Sequence, residues 1–303
     1  MSAEEMGEVH KPVMVEEVLR LLDPQKGEAF LDLTVGAGGH AFEIASRLGP
    51  EGLLVGVDLD ERILEVARER LAAQGLAPVK LYQGNYAECR RVLQEAGVER
   101  TDGILLDLGV SSLQIDDPER GFSFSEDGPL DMRMDAAVPG ETAADIVNTA
   151  REEELADIFF KYGEERLSRR IARSIVRERE RRPIRRTLEL ADIVKRAYRG
   201  PRQRIHPATR VFQALRIAVN DELENLRKAL ETAPDILADG GRIAVIAFHS
   251  LEDRIVKEDF RTRARQGLYS VLTKKPLVPT DEETRRNPRS RSAKLRAAKR
   301  SAG

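Results

Sequence analysis

The run Phe30-Leu31-Asp32-Leu33-Thr34-Val35, the turn Gly36-Ala37-Gly38-Gly39-His40 and the run Leu53-Leu54-Val55-Gly56-Val57-Asp58 restrict this chain more than any other stretch. An apolar strand ending in closely spaced glycines, a helical segment and a second strand closed by an acid form a β-α-β unit shaped around an adenosine-containing ligand. The glycines let the backbone approach the ligand, and the Asp58 carboxylate can accept both ribose hydroxyls. Gly36-x-Gly38-x-x-Ala41 also satisfies the dinucleotide pattern, with Asp58 about twenty residues further on. A pyrophosphate cofactor and a single nucleoside are both open at this point.

Strand and helix signals alternate after this unit. Glu61 to Gln74 carries Ile63, Leu64, Ala67 and Leu71 on one helical stripe, and Gly75 stops it. Val79 to Gln83 reads as a strand ending at Gly84-Asn85-Tyr86, Tyr86 to Ala96 as a helix, and Gly103 to Gly109 as a buried strand. The pattern predicts an α/β protein with a parallel, doubly wound sheet. From Asp116 to Gly140 the chain is rich in Asp, Gly, Pro and Met without a period, the mark of a long ordered loop. Arg151 to Arg181 is helical with a break near Gly163, and Thr187 is placed to cap a further helix that ends at Gly200-Pro201. Ala208 to Leu230 reads as one long amphipathic helix, Asp239-Gly240-Gly241 as a turn and Arg242 to Phe248 as another buried strand. Leu251 to Arg265 is helical, with weaker strands over Tyr269 to Val278 and Ser290 to Ala298. The expected organisation is a sheet domain from residues 1–115 and 206–303, with a basic all-helical domain, 116–205, inserted in it.

Charge separates those parts. The formal net charge is −2, yet Arg166 to Arg210 holds sixteen Lys or Arg against four acids, and Thr284 to Gly303 holds eight against none. The remainder of the chain therefore carries −22. Two basic regions on an acidic protein point to a polyanion such as nucleic acid, whereas a single run would read as a solvated face. Leu167, Ile171 and Ile175 form an apolar stripe, and Arg166, Arg170, Arg173 and Arg177 fall on another line of the same segment as a candidate phosphate rail. Cys89 is the only cysteine, so no internal disulfide and no cysteine-cluster metal site is expected. The histidines at 10, 40, 206 and 249 show no zinc spacing, so no metal is expected. No apolar run reaches membrane-spanning length, and Met1 to Val9 lacks a secretory pattern, so a cytoplasmic protein is expected, with a homodimer left open.

Two features favour a nucleoside joined to an amino acid over a dinucleotide. Asp32 and Thr34 stand at the glycine turn, where a carboxylate repels a pyrophosphate and stabilises a cationic amino group. Gly84-Asn85-Tyr86 and Asp107 offer an aromatic face and acceptors suited to an adenine. Together they suit S-adenosylmethionine, although Asp32 bonding only nearby backbone and Tyr86 only packing are equally good readings of each residue alone. An NAD-linked oxidoreductase is the rival from the glycine pattern, and a nonenzymatic RNA-binding assembly factor is the rival from the basic regions.

Leu105 to Gln114, Glu119-Arg120-Gly121-Phe122-Ser123-Phe124 and Gly128-Pro129-Leu130-Asp131-Met132-Arg133-Met134-Asp135 closely resemble the RsmH (MraW) family of bacterial methyltransferases. His10 to Val13, Tyr162 to Arg166, His206 to Arg210 and Phe248 to Arg254 match it as well, so the resemblance spans nearly the whole chain. It implies a Rossmann-like methyltransferase sheet with an inserted helical domain, S-adenosylmethionine as methyl donor, and the exocyclic N4 of a cytidine in 16S rRNA of the small ribosomal subunit as acceptor. It further implies donor contacts at Gly38, Gly39 and His40, at Asp58 for the ribose, at Tyr86 and Asp107 around the adenine, and at Gln114; Asp32 and Gly36 are added from their place at the turn. Leu113 stands where relatives can have proline.

An amino-group methyltransferase must hold a weakly nucleophilic nitrogen in line with the methyl group and take its hydrogens with acceptors. Many such enzymes carry an Asp/Asn-Pro-Pro-aromatic motif after the fourth strand, where this chain has Asp107-Leu108-Gly109-Val110-Ser111-Ser112. The catalytic acceptor is therefore open among Asp107, Ser111, Ser112 and His249, the last reading more readily as a helix cap. Phe122 and Phe124 either stack an extruded cytosine or plug the loop against the core.

Overall fold

The computed structural model describes residues 12–198 and 206–302. The His10-Lys11 part of the family match and the Gly200-Pro201 helix stop lie outside the described residues.

The chain divides into two compact units, 1–109 with 223–303, and 110–222. The first is built on seven strands: β1 (Ala29–Asp32), β2 (Leu53–Asp58), β3 (Val79–Gln83), β4 (Thr101–Asp107), β5 (Leu237–Ala247), β6 (Tyr269–Val271) and β7 (Lys294–Arg300). They form one sheet in the order β3-β2-β1-β4-β5-β7-β6. β1 to β5 run parallel, and β7 is antiparallel to both β5 and β6. Alternation of apolar residues dresses both faces. Leu31, Ile104, Leu106, Ile243 and Val245 pack on one side with Val92, Leu226, Leu230, Val256 and Phe260. Phe30, Leu105, Ala244 and Ile246 pack on the other with Val18, Leu22, Ile44, Leu48 and Leu64. The double winding read from the sequence is thus the observed one.

Several local expectations change. Asp239-Gly240-Gly241 is no turn between elements; it lies inside β5, where pairing jumps from Thr101↔Leu237 to Gly103↔Arg242 and Gly240 takes φ 80°. The extra residues bulge while the sheet continues, so the glycines serve a bulge. β6 stops at Val271, with Leu277 rejoining Leu295 by one isolated bridge. The helix read over Ala208 to Leu230 is two, Ala208–Val219 and Glu222–Ile236, because Asp221 adopts φ 48°. Val211, Phe212 and Leu215 of the first belong to the core of the helical unit. This moves the domain divides from 115/116 and 205/206 to 109/110 and 222/223.

The helical unit packs the Ala143–Thr149, Glu152–Gly163, Ser168–Arg179, Thr187–Ala197 and Ala208–Val219 helices around Ile146, Leu155, Phe159, Ile171, Ile175, Leu190 and Leu215. Gly163 ends its helix where a Cβ would lie 2.5 Å from the Arg210 carbonyl oxygen. Thr187 is not the cap of its helix: its hydroxyl instead accepts the Gly128 N–H at 3.0 Å, and Arg186 with Glu189 makes the capping box. The loop before these helices is ordered by its own chemistry. The guanidinium of buried Arg120 donates to the carbonyls of Arg133 (3.2 Å) and Met134 (2.7 Å), and Asp131 holds Arg133 through both carboxylate oxygens. At Gly128 a Cβ would sit 1.8 Å from the Pro118 carbonyl oxygen, so only glycine fits.

Candidate functional site

Because β1 to β5 are parallel, their carboxyl ends share one edge, the edge where doubly wound sheets bind ligands. β1 ends on Asp32, β2 on Asp58, β4 on Asp107, and β3 leads into Tyr86. Between β1 and the Gly39–Leu48 helix lies the glycine turn, with Gly36 at φ 53° and Gly38 at φ 80°. Those left-handed values strain any residue with a Cβ. A Cβ on Gly38 would also touch Ala67 at 3.4 Å, so the turn is bare on both counts.

Asp32 is 1% exposed. Its Oδ1 accepts the Thr34 N–H at 3.1 Å, and its Oδ2 is buried with no hydrogen-bond partner. Burial pushes this carboxyl up to about 7 against the pull of that N–H and of nearby His40. His40, in the first turn of the following helix, is buried with Nε2 3.5 Å from Asp107 Oδ2, in ion-pair range without closing a hydrogen bond. Burial lowers its basicity, but the Asp107 and Asp32 carboxylates outweigh burial and leave it raised. Asp107 itself is fixed through its N–H, which donates to Thr34 Oγ1, while its Oδ1 is buried and unpartnered. Three orphaned polar atoms beside one glycine turn are costly in a folded protein and fit a polar ligand. They are Asp32 Oδ2, His40 Nε2 and Asp107 Oδ1.

Asp58 is satisfied differently. Oδ2 accepts the Gly36 N–H at 2.8 Å and Oδ1 the Asp60 N–H at 3.0 Å, so the residue read as a ribose acceptor also locks the turn. Each carboxylate oxygen keeps a further acceptor direction. Burial pushes Asp58 up to about 6 despite these bonds. Tyr86 opens a short 3-10 turn capped by the Asn85 side chain and lies half-buried against the sheet core.

The remaining predicted residues lie elsewhere or do other work. Ser111 and Gln114, in the helical unit, form a capping box: Ser111 Oγ accepts the Gln114 N–H (3.2 Å) and Gln114 Oε1 the Ser111 N–H (2.9 Å), opening the Ser112–Asp116 helix. The Ser-x-x-Gln spacing is the signal that announces this role. Phe124 stacks on His206 and Phe212, each at 4.8 Å, and the Arg120 guanidinium sits 5.8 Å from the Phe122 ring centre. Both phenylalanines thus plug the loop against the helical core while staying partly exposed. His249 caps the Ser250–Arg265 helix, its Nδ1 accepting the Glu252 N–H at 3.4 Å, and Glu252 returns by accepting the Phe248 and His249 N–H groups.

The two basic regions behave unlike each other. In the second, five of the eight cations are used internally: Lys294 and Arg296 by Asp253, Arg300 by Asp239, Arg286 by Glu282 and Arg285 by the Asp281 carbonyl. The reason is topological, since β7 is an interior strand. In the first, Arg173 pairs with Glu152 at 3.4 Å, which removes it from a free rail. Among the described residues, Arg166, Arg170 and Arg177 have no ion-pair partner.

A seven-stranded sheet in this order, its seventh strand reversed and acids ending β1, β2 and β4, is a Rossmann-like methyltransferase sheet. The family is equally definite. The sequence model described as the MraW methylase family matches residues 7–301. "Ribosomal RNA small subunit methyltransferase H" of Geobacter sulfurreducens is 54% identical, over 95% of this chain and 98% of that protein. The proteins of that name from Syntrophobacter fumaroxidans and a Cyanothece species are 50% and 52% identical, each over 95% of its own length. The chain belongs to the MraW methylase family.

Proposed function

We propose that the protein methylates the exocyclic N4 of a cytidine in 16S rRNA of the small ribosomal subunit, in the cytoplasm, using S-adenosylmethionine. The observation that carries this reading is the cluster of buried, unpartnered polar atoms at the glycine turn, within a full-length match to rRNA methyltransferases. The donor supplies a methyl group made electrophilic by a positively charged sulfur. Asp32 Oδ2 is the acceptor for its α-ammonium group, since a buried carboxylate without a partner is stabilised by a cation. A pyrophosphate there would meet the same carboxylate with repulsion, which argues against NAD. Asp58 holds the ribose, Tyr86 the adenine, and the bare turn at Gly36, Gly38 and Gly39, with His40, the amino-acid arm; Gln114 joins them on the family resemblance.

The helical unit is the RNA-recognising part. Arg166, Arg170 and Arg177 offer guanidinium groups to phosphates, and Phe122 and Phe124 keep enough exposed ring to meet an unstacked base. The test is mass analysis of small-subunit RNA before and after incubation with the protein and S-adenosylmethionine. A gain of one methyl on a cytidine base is expected. RNA that binds the protein yet stays unmodified would make it an assembly factor instead.

A further inference from the structure

The parts of the donor fall in strand order along the sheet edge. β3, β2, β1 and β4 are consecutive neighbours, and adjacent strands lie about 4.8 Å apart. Tyr86, after β3, and Asp107, at the end of β4, are therefore three spacings, or about 14 Å, apart across the edge. The ends of β2 and β1, with Asp58 and Asp32, lie between them. An adenine stacked on Tyr86 with its ribose on Asp58 spans the β3 and β2 ends. Asp107 is left beside the glycine turn, at the sulfonium end. This disagrees with the adenine role that the family resemblance suggests for it.

We infer that Asp107 is the group that accepts the hydrogen of the target amine, and that His40 positions it; the inference rests on the proposed methyl transfer. The two Asp107 oxygens are differentiated. Oδ2 faces His40 Nε2 at 3.5 Å, whereas Oδ1 is buried with no partner. The backbone cannot drift, because Asp107 is paired with Ile246 of β5 and its N–H is held by Thr34 Oγ1. His40 is 6% exposed and made more basic by its carboxylate neighbours, so it keeps a donor directed at Oδ2 while Oδ1 stays open for the substrate. Asp107 is the catalytic residue and His40 the positioning residue.

The step balances without another reactant. The amine nitrogen attacks the methyl carbon, and the N–C bond forms as the C–S bond breaks. Sulfur keeps the bonding pair and becomes a neutral thioether. The surplus amine proton passes to an Asp107 oxygen and then to solvent. A carboxylate engaging that N–H also draws the nitrogen lone pair out of conjugation with the ring, which is what a weak nucleophile needs.

The test compares full-length Asp107→Asn, His40→Gln and His40→Leu with the unaltered chain, by calorimetric S-adenosylmethionine binding and by single-turnover methylation of small-subunit RNA. Asp107→Asn is expected to hold donor affinity within about threefold while slowing transfer roughly 10²–10⁴-fold. His40→Leu is expected to slow transfer about tenfold or more at unchanged KM for RNA. His40→Gln, which retains an N–H donor, should recover most of that rate. A parallel loss of donor affinity and rate in Asp107→Asn overturns the inference, as do His40→Gln and His40→Leu that are equally slow. Should His40→Leu fail to fold, NMR titration of His40 in Asp107→Asn decides: a lowered His40 pKa supports the pairing, and an unmoved one overturns it. If the unaltered protein binds the donor but methylates no RNA, the functional reading itself fails, which no variant result can mimic.

Discussion

The carboxyl edge of the sheet and the arginine face of the Ser168–Arg179 helix both concentrate charge, with opposite physics. At the sheet edge the charges are buried and incompletely bonded: Asp32 is pushed up to about 7 and Asp58 to about 6 by burial. On the helix, Arg173 and Arg177 are exposed in water, and Arg173 is spent on Glu152. Desolvated, unsatisfied groups discriminate sharply between ligands, because each unmade hydrogen bond is costly. Exposed arginines gain little individually and act through the summed field on a polyanion. The contrast matches a site that selects one small cofactor and a surface that holds a large nucleic acid.

The largest expected effect attacks the buried side. Asp58→Ala removes two charge-assisted bonds to the ribose as well as the acceptors for the Gly36 and Asp60 N–H groups, and should weaken donor binding by about a hundredfold or more. Calorimetry checks this, with circular dichroism to confirm folding; unaltered affinity removes Asp58 from the site. Next is Asp32→Asn, which should stabilise the fold while weakening donor binding. Asp32 has a folded pKa raised to about 7 from 3.8. Its cost to stability is therefore absent below the unfolded value, grows as pH rises toward 7 and is constant above it. Relative to the unaltered chain, the gain in unfolding free energy should follow that course and reach at most about 4 kcal/mol. A gain independent of pH, measured by denaturant titration at pH 4, 6 and 8, contradicts the buried-carboxylate account.

On the exposed side, reversing Arg170 and Arg177 to Glu should weaken small-subunit RNA binding and lower its salt dependence by roughly 0.7 in log-log slope per lost phosphate contact, leaving donor affinity intact. Arg173→Glu should do less, since that guanidinium is already paired. Equal effects at all three positions would erase the distinction between free and engaged arginines. The smallest effect is expected from His249→Ala, a lost helix cap costing about 1 kcal/mol of stability with single-turnover methylation unchanged. A slowed rate at saturating substrate returns His249 to the catalytic candidates.

Periodicity and punctuation carried much of this in the sequence. The alternation from Phe30 to Asp107 announces the parallel strands because a strand buried on both faces leaves a continuous apolar run. Gly36 and Gly38 announce the turn because few other residues tolerate its φ. Where a signal had two physical meanings, the sequence misled. Asp239-Gly240-Gly241 is as good a bulge as a turn, and the stripe from Phe212 to Leu230 continues across a break that one residue, Asp221, creates through its backbone alone. The charge of the last twenty residues looked like a ligand surface, but a strand's place in a sheet is a long-range property. β7 is interior, and acids distant in sequence, Asp253 and Asp239, consume its cations.

Local chemistry, then, is what the chain determines by itself: which segments are strands or helices, that a bare glycine turn precedes a helix, and that acids stand at three strand ends. Those follow from side-chain volume, backbone freedom and hydrogen-bonding capacity, properties each residue carries with it. Only the tertiary structure decided which of the acids are left unsatisfied. Asp58 closes on the Gly36 and Asp60 backbone, whereas Asp32 Oδ2 and Asp107 Oδ1 are buried without partners and His40 is drawn against Asp107. Desolvation and pairing depend on what packing brings from elsewhere in the chain, so no pattern read along the sequence can supply them.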